Sequence, residues 1–476
     1  MTLYKGYEMV IGLEVHVELK TKTKIFCNCK TDFGAEPNTH VCPVCMGMPG
    51  TLPVLNRKVV DYAIKAGLAT NCTIARFSKQ DRKNYFYPDL PKAYQISQYD
   101  LPLCEHGHVD IETENGAKRI GITRIHIEED AGKLVHDDKL GTLIDCNRCG
   151  VPLIEIVSEP DIRSAEEADA YLRKLRAAIL YTGVSDCKMN EGSLRCDVNL
   201  SVRKPGEPFG TRTEMKNLNS FQFIAKAIDY EYHRQVDALE SGEGVVQETR
   251  RFDANSGKTY SMRKKEDAND YRYFPDPDLP PIVITEEKLA ALKAEIPMLP
   301  DERKAIYTEK FGLTAYDSEV ITNELAVADY FEETANKTHY PKLAANMLIT
   351  DILRACDTEA GEIPVKPERL AALADLLGDG KINSSTAKKI VCSLLENDFD
   401  PAAYVAEHGL EQINDCAVLE KIVREVLAAD SKSVSSYKAG KTAALKAIVG
   451  KVMAKTEGRA NPVAVTELAE NLVLEY

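Results

Sequence analysis

Four prolines fall within seven residues of the stretch YFPDPDLPPIVI (residues 273–284), and the chain changes character there. Proline fixes φ and lacks a backbone N–H, so neither a helix nor a central strand runs through such a segment. Before it, alternating apolar stretches such as RIGITRIHIEE, PLIEIVSEP, SLRCDVNLSVR and TRTEMKNL read as strands. Two helices interrupt them. Ser164 precedes AEEADAYLRKLRAAILYTG, with acids in the first turn and Gly183 as the stop, and Ser220 opens FQFIAKAIDYEYHRQVDALESG. From TEEKLAALKAEIP onward strand patterns vanish and helix follows helix. The fold class expected is therefore α+β: a mixed α/β region over residues 1–294, a helical domain over 295–400, and a small helical tail over 401–476. The last boundary falls where ENDFDPAAY resets the pattern. Neither an internal repeat nor a low-complexity tract is present.

The first strong strand signal raises a chemical question. In IGLEVHVEL the apolar residues Leu13, Val15, Val17 and Leu19 alternate with Glu14, His16 and Glu18. Strand side chains alternate between faces, so two carboxylates and an imidazole share one surface. That surface is either solvated or offers oxygen and nitrogen ligands to an ion, oxygen-rich sets suiting Mg2+ or Mn2+. Polar residues recur at the same density in two further strands. Arg195, Asp197 and Asn199 alternate in SLRCDVNLSV, and Glu214, Lys216, Asn217 and Asn219 cluster in TEMKNLNS. Charges at that density are costly away from water unless they pair or meet a ligand, which points to a polar pocket or channel.

Cysteine spacing is the most specific local signal. Cys27-x-Cys29 is followed, after a polar loop of twelve residues, by Cys42-Pro-Val-Cys45. Two close thiol pairs at this separation match a four-thiolate zinc knuckle, with His40 as a possible substitute for one sulfur. Four thiolates leave no open position, so this zinc is expected to be structural. Cys146-Asn-Arg-Cys149 has no matching pair nearby, and Cys104 with His106 and His108 is too scattered to complete it; these read as structural residues. The chain's 13 cysteines go with a reducing compartment, and no apolar run reaches the ~18 residues of a membrane span. MTLYKGYEMV lacks the apolar run of a signal peptide. A cytoplasmic location without membrane association is expected. The net charge of −14 speaks against a surface covered with nucleic-acid contacts but permits a local basic patch. One exists: between residues 432 and 459, Lys432, Lys438, Lys441, Lys446, Lys451, Lys455 and Arg459 face a single acid, Glu457. The GKT at 440–442 is no P-loop, since Ser435 stands where its first glycine belongs.

Taken together, IGLEVHVEL, CPVCMGMPGTLPVLN, DRKNYFYPDLPKAYQISQYD, HIEEDAGK, VPLIEIVSEPDIRS, EGSLRCDVNLSVR, EMKNLNSF, DYRYFPDPDLPP and the C-terminal GKTAALKAIVGKVMAKTEGRANP resemble the B-subunit family of the heterotrimeric glutamyl-tRNA(Gln)/aspartyl-tRNA(Asn) amidotransferases. The resemblance covers nearly the whole chain. It implies a cradle-shaped catalytic domain with the zinc knuckle, a helical domain, and a tail of a kind also found as a free-standing protein. It also implies a ligase chemistry. ATP phosphorylates the side-chain carboxylate of Glu or Asp misacylated on tRNA, and ammonia displaces phosphate to give the amide.

The site residues the resemblance implies are Glu14, His16, Glu128 (with Glu129 adjacent) and Glu155 around Mg2+. Arg82, Lys83 and Tyr85, with Tyr87 nearby, are candidates for ATP or the tRNA end, and Arg195, Lys216 and Asn217 are weaker ones. The implied partners are an amidase-type A subunit that supplies ammonia, a small C subunit, and misacylated tRNA. The basic tail residues Lys438, Lys441, Lys446, Lys451, Lys455 and Arg459 are expected to follow the outer body of that tRNA. All four zinc-site cysteines are present here, although other members of the family lack them. Two other readings fit the residues alone: a tRNA-binding scaffold without chemistry, and a metal-dependent hydrolase.

Overall fold

The alternation in the first strand is the middle of a nine-stranded sheet. A computed structural model describes residues 3–264, 270–356 and 363–476, which fold as two units, Met1–Leu299 and Pro300–Tyr476. In the first unit the sheet runs in the order Lys258–Lys264, Glu248–Asp253, Thr213–Lys216, Leu194–Arg203, Glu8–Glu18, Pro152–Ser158, Gly116–Glu129, Cys104–Thr113 and Thr73–Ile74. All neighbours are antiparallel except Thr213–Lys216 with Glu248–Asp253, whose parallel pairing is made possible by the helix Phe221–Glu240 between them.

Register decides which side chains meet. His16 lies opposite Glu155 on one neighbour and Arg195 on the other, and Glu14 lies opposite Asp197. Glu155 lies in turn opposite His126, and Asn199 opposite Glu214. Since side chains alternate, these polar residues share one face of the sheet, and Val15, Val17, Ile154, Ile156, Ile127 and Val198 share the other. The apolar face is the core. Helices Arg57–Ala69, Ala165–Tyr181 and Phe221–Glu240 pack against it through residues such as Ile64, Tyr171, Leu175, Ile228 and Val236. Both expected caps form: Ser164 accepts from the Glu167 N–H and Ser220 from the Phe223 N–H.

The proline-rich segment is more than a break. Phe274–Pro275 pairs with Arg82 and Asp81, and Ile282–Val283 pairs with Ser78 and Phe77, as two short edge strands. The helix Glu286–Ala294 then closes on the same core through Leu292.

The second unit is helical throughout its described residues. It holds two apolar cores, one from Tyr307 to Val405 and one from Leu419 to Val473. A single π-helical turn, Leu348–Ile352, interrupts the first.

A polar face and candidate metal centres

Across the polar face of the sheet the side chains form two adjoining groups. In the first, ligand atoms of His16, Glu128 and Glu155 all lie within 4.8 Å of one another. His16 Nε2 is 3.5 Å from Glu128 Oε1 and 3.6 Å from Glu155 Oε2. In the second, the carboxylates of Glu14, Asp197 and Glu214 meet the same limit. The four residues expected around one ion are thus divided. Glu14 sits two residues from His16 on the same face, roughly 7 Å along the strand, and cross-strand pairing gives it different partners.

Sequence reading did not single out His126. Its Nε2 lies 3.3 Å from Glu155 Oε2 and 3.8 Å from Glu128 Oε2, and it is 3% exposed. Burial opposes its charge, but Glu155 and Glu128 overcome that and push the imidazole up to about 9. Burial would likewise raise Glu155, but His126, His16 and Lys83 hold it far below the carboxylate range. Glu14 goes the other way: burial, reinforced by Glu155, Glu214 and Asp197, raises it against the Asn199 amide, which donates to Glu14 Oε1 at 2.8 Å. One group is balanced by imidazoles. The other is balanced by Lys216, whose ammonium bridges Asp197 and Glu214.

The candidate nucleotide contacts separate sharply. Lys83 Nζ lies 4.9 Å from the ring centre of Tyr271 and 5.7 Å from that of Tyr85. Burial works against its charge, but Glu128, the tyrosines and Glu155 keep it well above the ordinary lysine value. Tyr271 and Tyr273 are brought there by the proline-rich segment, and Tyr273 stacks on Tyr99 at 4.3 Å between ring centres. Arg82, although adjacent in sequence, points elsewhere. Its Nε donates to the buried Asp276 at 2.8 Å and its Nη2 to Asp278 at 2.9 Å, with the guanidinium 4.4 Å from the Tyr94 ring. Tyr87 is exposed.

Arg195, Asp197 and Asn217 line a cavity of about 940 Å³ together with Glu18, Arg148 and Lys133. Arg195 donates to Asp130 Oδ2 at 2.8 Å, and Arg148 Nε lies 3.3 Å from the same oxygen. Burial, with Asp130 next, pushes the Glu18 carboxyl up to about 8 against Arg195 and Arg148. Asn217 holds a positive φ of 66° and is tied by its amide to the Phe252 carbonyl at 3.1 Å.

The sulfurs of Cys27, Cys29, Cys42 and Cys45 all lie within 4.8 Å of one another. That spacing suits tetrahedral zinc, whose Zn–S bonds of about 2.3 Å place sulfurs just under 4 Å apart. His40 gives the group no ring nitrogen; its carbonyl accepts from Lys24 Nζ at 2.7 Å instead. Cys104 is buried against Ala63, with Sγ 3.6 Å from the Ala63 carbonyl oxygen.

In the tail, Lys451 pairs with Asp430 at 2.6 Å and Lys455 with Glu425 at 2.5 Å. Arg459 donates to the Gly409 carbonyl at 2.9 Å. Among the described residues Lys438, Lys441 and Lys446 have no carboxylate within 4.0 Å. No helix of the described residues is long and apolar enough to cross a membrane.

Comparison with known proteins converges on one group. The family described as GatB/GatE catalytic domain matches residues 9–290, and that described as GatB domain matches residues 329–473. The chain is similar to the B subunit of the aspartyl/glutamyl-tRNA(Asn/Gln) amidotransferase from Carboxydothermus hydrogenoformans, 56% identical over 472 residues, 98% of each chain. It is similar to the protein of that name from Caldicellulosiruptor saccharolyticus, 57% identical over 470 residues, 97% of this chain and 98% of the relative. That of Lachnoclostridium phytofermentans is 53% identical over 474 residues, 98% of this chain and 99% of the relative.

Proposed function

The chain belongs to the B-subunit family of the aspartyl/glutamyl-tRNA(Asn/Gln) amidotransferases, ligases that form a carbon–nitrogen bond, and on that premise we propose that the polar face of its first unit carries the activating and amidating steps. A carboxylate is a poor electrophile because its leaving group would be oxide; phosphorylation by ATP supplies a better one. Phosphoryl transfer depends mainly on positioning and charge neutralisation. The observation that carries this reading is the pairing of two donor groups on one rigid sheet: His16, Glu128 and Glu155 beside Glu14, Asp197 and Glu214. Their oxygen-rich chemistry fits Mg2+ or Mn2+, and cations held there would neutralise the phosphates of ATP.

The chain's own residues do the rest. His126 and His16 hold Glu155 ionised and oriented. Lys216 keeps Asp197 and Glu214 together with their charge partly answered. Lys83, against the rings of Tyr85 and Tyr271, offers a positive charge beside Glu128 and Glu155, suited to meet a phosphate or the substrate carboxylate. The cavity lined by Arg195 and Asn217 adjoins the second group through Asp197, which suits it to the aminoacyl end of the tRNA. The four cysteines fit a structural zinc. Ammonia comes from an amidase-type partner, steadied by a small third subunit, in the cytoplasm.

A complex whose glutaminase is inactivated tests the reading. Given ammonium, ATP and misacylated tRNA it should still form Gln-tRNA(Gln) or Asn-tRNA(Asn). No product under those conditions removes the chemistry from this chain and leaves the scaffold reading.

A further inference from the structure

Lys24 has no solvent exposure. Lysine is rarely buried completely, and a buried ammonium without an anion is strongly unfavourable. Among the described residues no carboxylate oxygen lies within 4.0 Å of its Nζ. The carboxylate of Glu129, which lines the same small cavity, is engaged by Lys92 and by the Ile96 N–H at 2.9 Å. Lys24 Nζ instead meets the His40 carbonyl at 2.7 Å, the Cys146 carbonyl at 3.4 Å and Cys45 Sγ at 3.6 Å. The two carbonyls are dipoles and leave the charge unanswered. The sulfur is the group that can answer it.

Four thiolates around one Zn2+ carry a net double negative charge, and burying that charge is unfavourable for the same reason. Each buried charge accounts for the other. We propose that Lys24 is the internal counter-charge of the four-cysteine centre, a positioning residue that touches a ligand and not the metal, aimed by the turn Cys146-Asn-Arg-Cys149. That turn is tied to the knuckle loop from both sides. The Cys146 N–H donates to Asn38 Oδ1 at 2.8 Å, the His40 N–H donates to Asn147 Oδ1 at 2.8 Å, and Asn147 Nδ2 donates to the Glu36 carbonyl at 2.7 Å. The second cysteine pair thereby gains a role without binding metal: its turn delivers a carbonyl to Lys24.

This inference rests on the zinc reading above, and the test separates the two. The full-length chain and its Lys24→Met variant are purified, zinc is measured, and its release to a chelator is timed. The same proteins loaded with Co2+ report the charge on the thiolates through the sulfur-to-cobalt charge-transfer band. Lys24→Met should release zinc about 10- to 100-fold faster, the usual effect of losing a ligand's supporting partner. Its charge-transfer band should move to lower energy while the tetrahedral ligand-field bands stay. A wild-type chain without zinc would overturn the zinc reading. Zinc in the wild type, with release and band unchanged in Lys24→Met, would overturn the role of Lys24 alone. Should Lys24→Met fail to fold, Lys24→Met combined with Cys45→His decides, because it removes one negative charge together with the positive one. A double variant that folds and keeps zinc supports the pairing of charges; one that also fails makes Lys24 a packing residue and ends the proposal.

Discussion

Glu14 and His16 project from one strand, two residues apart, yet pairing sends them to different partners. If each group holds its own cation, the two should be separable. Wild-type chain should bind two Mn2+ ions on this face; Glu128→Ala should lose one and Asp197→Ala the other, read by titration calorimetry and electron paramagnetic resonance. Each variant should lower ATP-dependent amidation more than ~100-fold, the scale of a missing metal ligand. Loss of both ions in each variant would mean one shared centre, and loss of neither would return the face to simple ion pairing. The candidate metal donors were legible to differing degrees. Alternation in HVEL and in RIHIEE put His16, His126 and Glu128 on strand faces, and His126 could have been read from its period-two spacing to Glu128. The grouping of Glu14 with Asp197 and Glu214 could not, because it depends on register between strands nearly two hundred residues apart in sequence. Lys24 left no signal at all, since it is the last of three lysines that alternate with threonine over residues 20–24 and all look solvated.

Neighbours in sequence can be parted by the element they sit on. Arg82 and Lys83 occupy successive positions of one short strand, so their side chains take opposite directions. Arg82 latches the proline-rich segment through the fully buried Asp276, and Lys83 faces Tyr271 and the carboxylates of Glu128 and Glu155. Arg82→Ala should therefore cost stability, about 3–5 kcal/mol for a carboxylate left buried and unpaired, while Lys83→Ala should leave the thermal midpoint nearly unchanged and lower amidation. A reversed pattern would assign Arg82 to the nucleotide. On the other side of the sheet, the helix Phe221–Glu240 is joined to the strands by Glu231, which is fully buried. It accepts from Thr213 and Thr259 at 2.9 Å each and from Arg234 at 2.6 and 2.9 Å. Burial would raise its pKa, but Arg234, Gln235 and Arg250 hold it below the ordinary value of about 4.3. A depressed folded pKa gives stability that is complete above the unfolded value and lost as pH falls through the folded one. Glu231→Gln should lower the urea midpoint of the first unit at pH 7 and flatten its decline below about pH 4.3; a variant whose acid limb parallels the wild type would place that limb on other carboxylates. The strand and helix identities that set this up were readable from period and caps at Ser164 and Ser220. The pairing of residues 274–275 and 282–283 as edge strands was not, because prolines mark where regular structure stops and not what the chain pairs with afterwards.

The whole chain divides its charge unevenly. It is acidic overall, −14, and its first unit gathers carboxylates on the polar face of the sheet, which suits cations but repels a phosphate backbone. We propose that the body of a tRNA is met by a stretch of opposite sign, residues 432–459, where seven basic residues face one acid, within the tail from residue 401 onward taken as a third domain. Structure narrows the stripe read from sequence. Lys451 and Lys455 are held by Asp430 and Glu425, and Arg459 by the Gly409 carbonyl. Lys438 closes one short helix, and Lys441 and Lys446 flank the start of the next. With Lys432, which likewise has no carboxylate within 4.0 Å among the described residues, and Arg459, which meets only a carbonyl dipole, these carry the unanswered charge. An ion-paired lysine has to give up its carboxylate before it meets a phosphate, so its net contribution is smaller. Replacing Lys438, Lys441 and Lys446 by Ala should weaken tRNA binding and reduce the slope of log K against log salt by up to roughly 0.9 for each phosphate left unneutralised. Replacing Lys451 and Lys455 should change the slope less while lowering the stability of the tail. Deleting residues from about 415 onward should reproduce the triple variant's shallower slope, with amidation persisting at saturating tRNA because the face proposed to carry the chemistry lies in the other unit. An unchanged slope across a salt series in the triple variant would make the stripe a solvated helix face, and tRNA recognition would then fall to the first unit and the helices between.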